Sequence, residues 1–175
     1  MIEHFVKWHK KKYSQPEKIF YALFLSSIFI FIFIPGTPFL FYKDLDKNFA
    51  LPQIVAGPLN FYLGFPIALL GLFLFAWTIW LFLRVGKGTQ TPIIPTEKLV
   101  AVGPYSFTRN PMVLGVIIWI VGLGVLINSL SFTAIGLITP LLYLVYIKLI
   151  EEKELEARFG KQYLKYKKKM PFLLC

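Results

Sequence analysis

The 175-residue chain is 57% hydrophobic and 18% aromatic, and its 19 lysines and arginines against 9 acidic residues give it a net charge of +10. With a mean hydropathy of +0.64 it is too apolar for an ordinary soluble domain, whose apolar share is about 45–50%. Its single cysteine, Cys175, excludes an intrachain disulfide. The basic residues flank apolar runs instead of forming a groove-reading module, so the charge points to anionic lipid headgroups and not to nucleic acid.

Four apolar runs approach the length of about 20 residues needed to cross a hydrocarbon core. They cover residues 19–41, 59–83, 112–127 and 130–150 of one membrane domain spanning 1–175. Only Asn128 and Ser129 separate the third from the fourth, which predicts a tight antiparallel hairpin. Pro35 and Pro140 fall inside spans, where neighbouring groups must satisfy the freed carbonyls. Lys7, Lys10, Lys11, Lys12 and Lys18 precede the first span, Arg84, Lys87, Lys98 and Arg109 separate the second from the third, and eight more lysines and arginines lie from Lys148 onward. The excess of positive charge on those three segments places both termini in the cytoplasm. The expected fold is therefore an all-α, multi-pass integral membrane protein of about four transmembrane helices.

Within the second span, Gly57, Gly64 and Gly71 recur every seven residues, with Ala68 between the last two. Such a stripe lets another helix approach closely. Intramolecular packing is the plainer reading, and a homodimer face is the alternative. Gly115, Gly122 and Gly124 suggest packing of the third span on the fourth.

The loop from Gly86 through Lys87, Gly88, Thr89, Gln90, Thr91 and Pro92 to Pro95 combines flexible glycines with helix-opposing prolines. It reads as a connector or as the cover of a pocket. Then comes the first chemically loaded cluster, Gly103, Pro104, Tyr105, Ser106, Phe107, Thr108, Arg109, Asn110 and Pro111. Arg109 offers a permanent charge and forked donors for a carboxylate or phosphate, or serves as a juxtamembrane anchor. Glu151 and Glu152 end the fourth span, where acidic residues gain nothing from anionic headgroups. They are either solvated, or bind an ammonium group or ribose hydroxyls, or pair with Arg109, which enters the third span on the side where the fourth exits.

Beyond them Leu155, Phe159, Tyr163, Tyr166 and Met170 recur at helical spacing among lysines. This predicts a C-terminal amphipathic helix on the cytoplasmic leaflet, interrupted near Gly160, with the lysine run as a lipid-surface anchor. His4 and His9 are the only histidines and no metal-ligand spacing occurs, so a zinc or thiol mechanism lacks its residues. A Walker loop and a dinucleotide fingerprint are also absent.

In order, Leu99, Val100, Gly103, Pro104, Tyr105, Arg109, Asn110, Pro111 and Gly115, then Glu151, Glu152, Leu155, Phe159, Gly160, Tyr163, Tyr166 and Pro171, resemble the isoprenylcysteine carboxyl methyltransferase and phospholipid methyltransferase group of membrane enzymes. The resemblance covers residues 86–171. It implies S-adenosylmethionine as cofactor, in a cytoplasm-facing pocket, with membrane lipids around it and an amphipathic or lipidated methyl acceptor. Gly103, Pro104, Tyr105, Arg109, Asn110, Pro111, Glu151, Glu152 and Tyr163 are then the expected cofactor-binding residues, and Arg109, Glu151 and Glu152 the expected catalytic ones. The family often has histidine where this chain has Asn110, and tyrosine where it has Val113. A membrane reductase related to sterol reductases, using a nicotinamide cofactor, and a non-catalytic lipid-binding protein are the competing readings.

Overall fold

The computed structural model describes residues 14–89 and 94–173. His4, His9, the lysines at 7 and 10 to 12, Gln90, Thr91, Pro92 and Cys175 lie outside the described residues. Among the described residues every regular element is helical: α1 Gln15–Ile28, α2 Ile34–Asn48, α3 Leu59–Leu81, α4 Pro111–Ile127, α5 Leu130–Tyr146, α6 Glu152–Phe159 and α7 Lys161–Lys169. Three wider π-helical turns, Phe29–Phe33, Phe82–Gly86 and Ile147–Glu151, continue α1 into α2, extend α3, and join α5 to α6. A short 3-10 turn occupies Gly103–Ser106.

Two of the continuous helical stretches are long and apolar enough to cross a membrane, Leu59–Gly86 with 28 residues and Leu130–Phe159 with 30. Helix α4 is apolar but has only 17 residues. Large side chains such as Leu40, Phe73 and Leu142 are more than 60% exposed. That suits a surface solvated by lipid, since a soluble monomer rarely displays so much contiguous apolar area. The π turn at Phe29–Phe33 has a local cause. Pro35 lacks the N–H that would bond to the carbonyl of Phe31, inside that turn, and Pro38 fails to bond Ile34 just after it.

Two compact units divide the chain. One comprises the described parts of Met1–Ser26, Ala76–Pro111 and Tyr146–Cys175, and the other Ser27–Phe75 and Met112–Val145.

In the second unit, close backbone contact holds the helices together. A Cβ added at Gly64 would lie 2.6 Å from the Leu126 nitrogen and 2.9 Å from the Gly122 carbonyl, and one at Gly71 would lie 2.6 Å from the Gly115 carbonyl and run into Trp119. Gly122 in turn packs on Ala68. The small-residue stripe from Gly64 to Gly71 is thus occupied by α4 of the same chain, which decides for intramolecular packing at those positions. Gly57 is different, because an added Cβ there would just touch Asn60. Between α4 and α5 the chain turns in two residues: Asn128 takes a φ of +60°, and the Ser129 amide donates to the Gly124 carbonyl at 3.0 Å. Gly124 lies against Thr133 and Gly136 against Ile120, so the contacts recede from the turn in antiparallel order.

Side chains close the polar ends of this unit. The Asn128 Nδ2 donates to the Val55 carbonyl at 2.8 Å while its Oδ1 accepts from the Val55 amide at 3.1 Å. Asn60 Nδ2 donates to the Leu126 carbonyl at 2.9 Å. Asp46 accepts from the Ser131 amide in the first turn of α5, where a negative charge opposes the positive helix end.

Gly71→Ala is expected to destabilise the protein by about 1–3 kcal/mol, the usual cost of overpacking. Gly36→Ala, where nothing lies within 4 Å of the added Cβ, should be neutral or stabilising by about 0.5–1 kcal/mol, because alanine loses less backbone freedom in a helix. Thermal unfolding of both variants in detergent checks the contrast, and equal melting temperatures would refute the packing.

Candidate functional site

The residues singled out by the sequence converge within the first unit. Val100 and Tyr105 pack with Leu81, joined by Phe82 and Val85. The Tyr105 ring lies 5.4 Å from that of Phe82. Gly103 takes a φ of +60°, a conformation that disfavours any residue with a Cβ. Proline follows it in the first turn of the 3-10 helix, where its missing N–H costs nothing. The turn is tied by Ser106 Oγ donating to the Gly103 carbonyl at 2.6 Å and by the Phe107 and Thr108 amides donating to Pro104 at 3.1 and 3.3 Å. Arg109 and Asn110 are thereby delivered at the mouth of α4, with Pro111 fully buried as its first residue.

On the partner side the π turn Ile147–Glu151 leads into α6 at Glu152, which is only 5% exposed. An Arg109 Nη1 donates to Glu152 Oε1. Lys167 Nζ of α7 lies 2.7 Å from Glu152 Oε2 and 2.7 Å from Glu156 Oε1. The order Arg109, Glu152, Lys167, Glu156 therefore alternates in charge. Burying one carboxylate alone would be prohibitive, whereas a paired and hydrogen-bonded one is tolerated. Tyr163 is 2% exposed and faces both members of the pair: burial and the Glu152 charge push its hydroxyl up from the ordinary phenol value, while Arg109 and Lys167 pull it down by less.

Glu151, the residue before Glu152, is only partly buried, and its charge acts on Arg158. Arg158 itself binds Glu154 at 3.3 Å and donates to the Thr96 carbonyl, which fastens the interhelical loop to α6. That loop folds on itself. The Thr89 amide and hydroxyl both donate to the Ile94 carbonyl, at 2.7 and 2.9 Å, and the Glu97 amide donates to Gly86 at 2.7 Å.

The C-terminal helix, expected from its lysines to lie on the lipid surface and from the resemblance to contribute Tyr163 to the site, is anchored through side chains to the segment before α4 and to Glu152. Tyr166 Oη donates to the Tyr105 carbonyl at 2.7 Å and lies 3.5 Å from that of Thr108. After α7 the chain turns back, and Pro171 accepts from the Arg109 amide at 3.0 Å. Asn110 Nδ2 donates to the Phe172 carbonyl at 2.7 Å. Asn110 is thus buried and engaged with its own chain. Lys167 and Phe172 were not legible as site residues. Lys167 is one lysine of a run, and Phe172 lies beyond the helical periodicity; only the late helix stop at Pro171 hinted that the tail is held.

Among the described residues, the Nε of Arg109 is the one buried side-chain nitrogen or oxygen left without a partner. Together with the carboxylate of Glu152 and the phenol of Tyr163, it forms a set of donors and acceptors suited to a small polar ligand with both a carboxylate and hydroxyl groups.

Removing one partner of the buried pair should be costly. Glu152→Ala, which leaves two cations facing each other, is expected to lower stability by about 3–5 kcal/mol, and more than Glu151→Ala, measured by thermal unfolding in detergent. Alkaline pH should act on the same cluster. Tyr166 is raised above the ordinary phenol value of 10.0 by burial and then by Tyr163, against a smaller opposing effect of Arg109. A raised folded-state value means that the contribution is complete below pH 10 and is lost as pH climbs through the folded value. Ultraviolet titration of the phenols should therefore show Tyr163 and Tyr166 ionising after the exposed tyrosines, and Tyr166→Phe should remove part of the delayed step.

The family model for phospholipid methyltransferases matches residues 59–162, more than half of the 175-residue chain. No curated protein and no solved structure matches it. The matched stretch contains Gly103, Tyr105, Arg109, Asn110, Glu151 and Glu152, and ends one residue before Tyr163. The chain belongs to the phospholipid methyltransferase family and is a membrane methyltransferase.

Proposed function

We propose that this protein transfers the methyl group of S-adenosylmethionine to an amphipathic, lipid-like or isoprenylcysteine-like acceptor at the cytoplasmic face of the membrane. The observation that carries the reading is the buried Arg109–Glu152 pair, seated beside Tyr163 with an Arg109 donor still unused. Arg109 is assigned to a cofactor carboxylate, and Glu152 to the ribose hydroxyls or the ammonium. Gly103, Pro104 and Tyr105 shape the wall, and Asn110 and Pro111 hold Arg109 in place. Glu151, partly exposed where Glu152 is buried, is given no role in this assignment.

When bound, the cofactor supplies a sulfonium-activated methyl carbon, so the chain need only align the reacting groups and exclude water. Both oxygens of Glu152 already accept from cations, which makes it a holder and a poor proton acceptor. A carboxylate acceptor arrives as a nucleophile with no proton to lose, so this arrangement favours it over a protonated amine. Lipid surroundings follow from the long apolar helices and their exposed faces. The proposed topology has four spans, with α4 and α5 as a hairpin and both termini cytoplasmic, in line with the lysine and arginine distribution. The exposed lysines of α7 would then lie against anionic headgroups.

Calorimetric titration of the detergent-solubilised protein with S-adenosylhomocysteine is expected to show saturable binding. Arg109→Ala and Glu152→Gln should each weaken it by tenfold or more, a loss of about 1.4 kcal/mol or greater. With labelled S-adenosylmethionine, a farnesylcysteine analogue should acquire a base-labile methyl ester. Base-stable label on phosphatidylethanolamine would instead make the acceptor an amine, and no binding by folded protein in detergent or lipid would refute the cofactor assignment.

A further inference from the structure

The segment after α7 is bound more specifically than a chain end requires. The helix stops at Lys169, the Met170 amide still donates to the Tyr166 carbonyl at 3.0 Å, and Pro171 cannot continue the ladder. From there the chain runs back along Thr108–Asn110. Every polar group that Pro171 and Phe172 offer as an acceptor is used: the Pro171 carbonyl takes the Arg109 amide at 3.0 Å, and the Phe172 carbonyl takes Asn110 Nδ2 at 2.7 Å and Thr108 Oγ1 at 3.3 Å. The Phe172 ring then lies under the Arg109 guanidinium, 5.4 Å from its centroid to Cζ.

Arg109 is consequently held on three sides. Its backbone is pinned by Pro171, its edge by Glu152, and its face by Phe172. Its Nε is buried without a partner. An arginine side chain has many rotamers, and fixing one before a ligand arrives removes an entropic cost from binding. A ring stacked on the guanidinium can do this without consuming a hydrogen-bond donor, as a second carboxylate would.

We infer that Pro171 and Phe172 form a positioning strap, and that Phe172 is a positioning residue that sets the Arg109 guanidinium for its anionic ligand. Asn110 serves the same device: its amide holds the strap and takes no part in proton transfer. The ligand in this inference rests on the cofactor reading above, but the strap itself does not.

Two readouts on full-length protein in detergent test the inference. Hydrogen–deuterium exchange of Phe172→Ala should be faster than that of the wild type in the 104–110 segment, with the rest of the helices unchanged. S-adenosylhomocysteine affinity should fall about tenfold in Phe172→Ala, within the range expected for loss of a partly desolvated cation–π contact. Phe172→Tyr should restore it, and Phe172→Leu, which fills the space without a π face, should not. Unchanged exchange at 104–110, or a Phe172→Leu protein that binds like the wild type, would overturn the strap. Should Phe172→Ala fail to fold, comparing leucine with tyrosine at this position decides the question in both readouts. If the wild type binds no S-adenosylhomocysteine, the cofactor assignment falls, and exchange at 104–110 still decides for or against the strap.

Discussion

A carboxylate that is almost wholly buried is the constraint around which the first unit is organised. Glu152 can stay there only because Arg109 and Lys167 each occupy one of its oxygens, and desolvating such a group without partners would cost several kcal/mol. The requirement propagates outward. Arg109 must be presented from the start of α4, so the chain before it needs the left-handed Gly103 and the 3-10 turn. Lys167 must come from α7, so the helix after the fourth apolar run has to break and re-form; it does so at Gly160, with a φ of +52°. Tyr166 and Phe172 then fasten that second helix to the arginine segment.

The second unit is held together by a different kind of force. In lipid there is little hydrophobic gain from bringing helices together, so association depends on close packing and on hydrogen bonds between them. Gly64, Ala68 and Gly71 against Gly115, Trp119 and Gly122 provide the first, and Asn60, Asn128 and Asp46 provide the second at the helix ends. Trp119 and Phe132 are buried in this unit, while Phe31, Phe39, Leu70 and Leu142 are exposed. Every glutamate of the chain lies in the residues assigned to the first unit, where chemistry is proposed.

Much of this was legible from the chain alone. Runs of apolar residues marked the helices to within a few positions at most of their ends: 59–83 against Leu59–Gly86 and 112–127 against Pro111–Ile127, with 130–150 continuing as helix to Phe159. These boundaries are readable because they follow from local composition and from proline and glycine. The order of motifs from Gly103 to Glu152 was legible too, and of the partners expected for Arg109 the structure shows Glu152.

What the sequence determined, then, is the solvent, the helical class and the inventory of polar groups, since each depends on residues near one another in the chain. The tertiary structure alone decided which glutamate is buried. Glu151 and Glu152 are chemically identical neighbours about 100° apart on a helix, and their facing depends on a π turn that adds a residue to the ladder. It also decided that Lys167 serves an ion pair and that Phe172 lies under Arg109. Those contacts join positions far apart in the chain or sit within a uniform lysine run, and no local pattern distinguishes the residue that is used from those that are not.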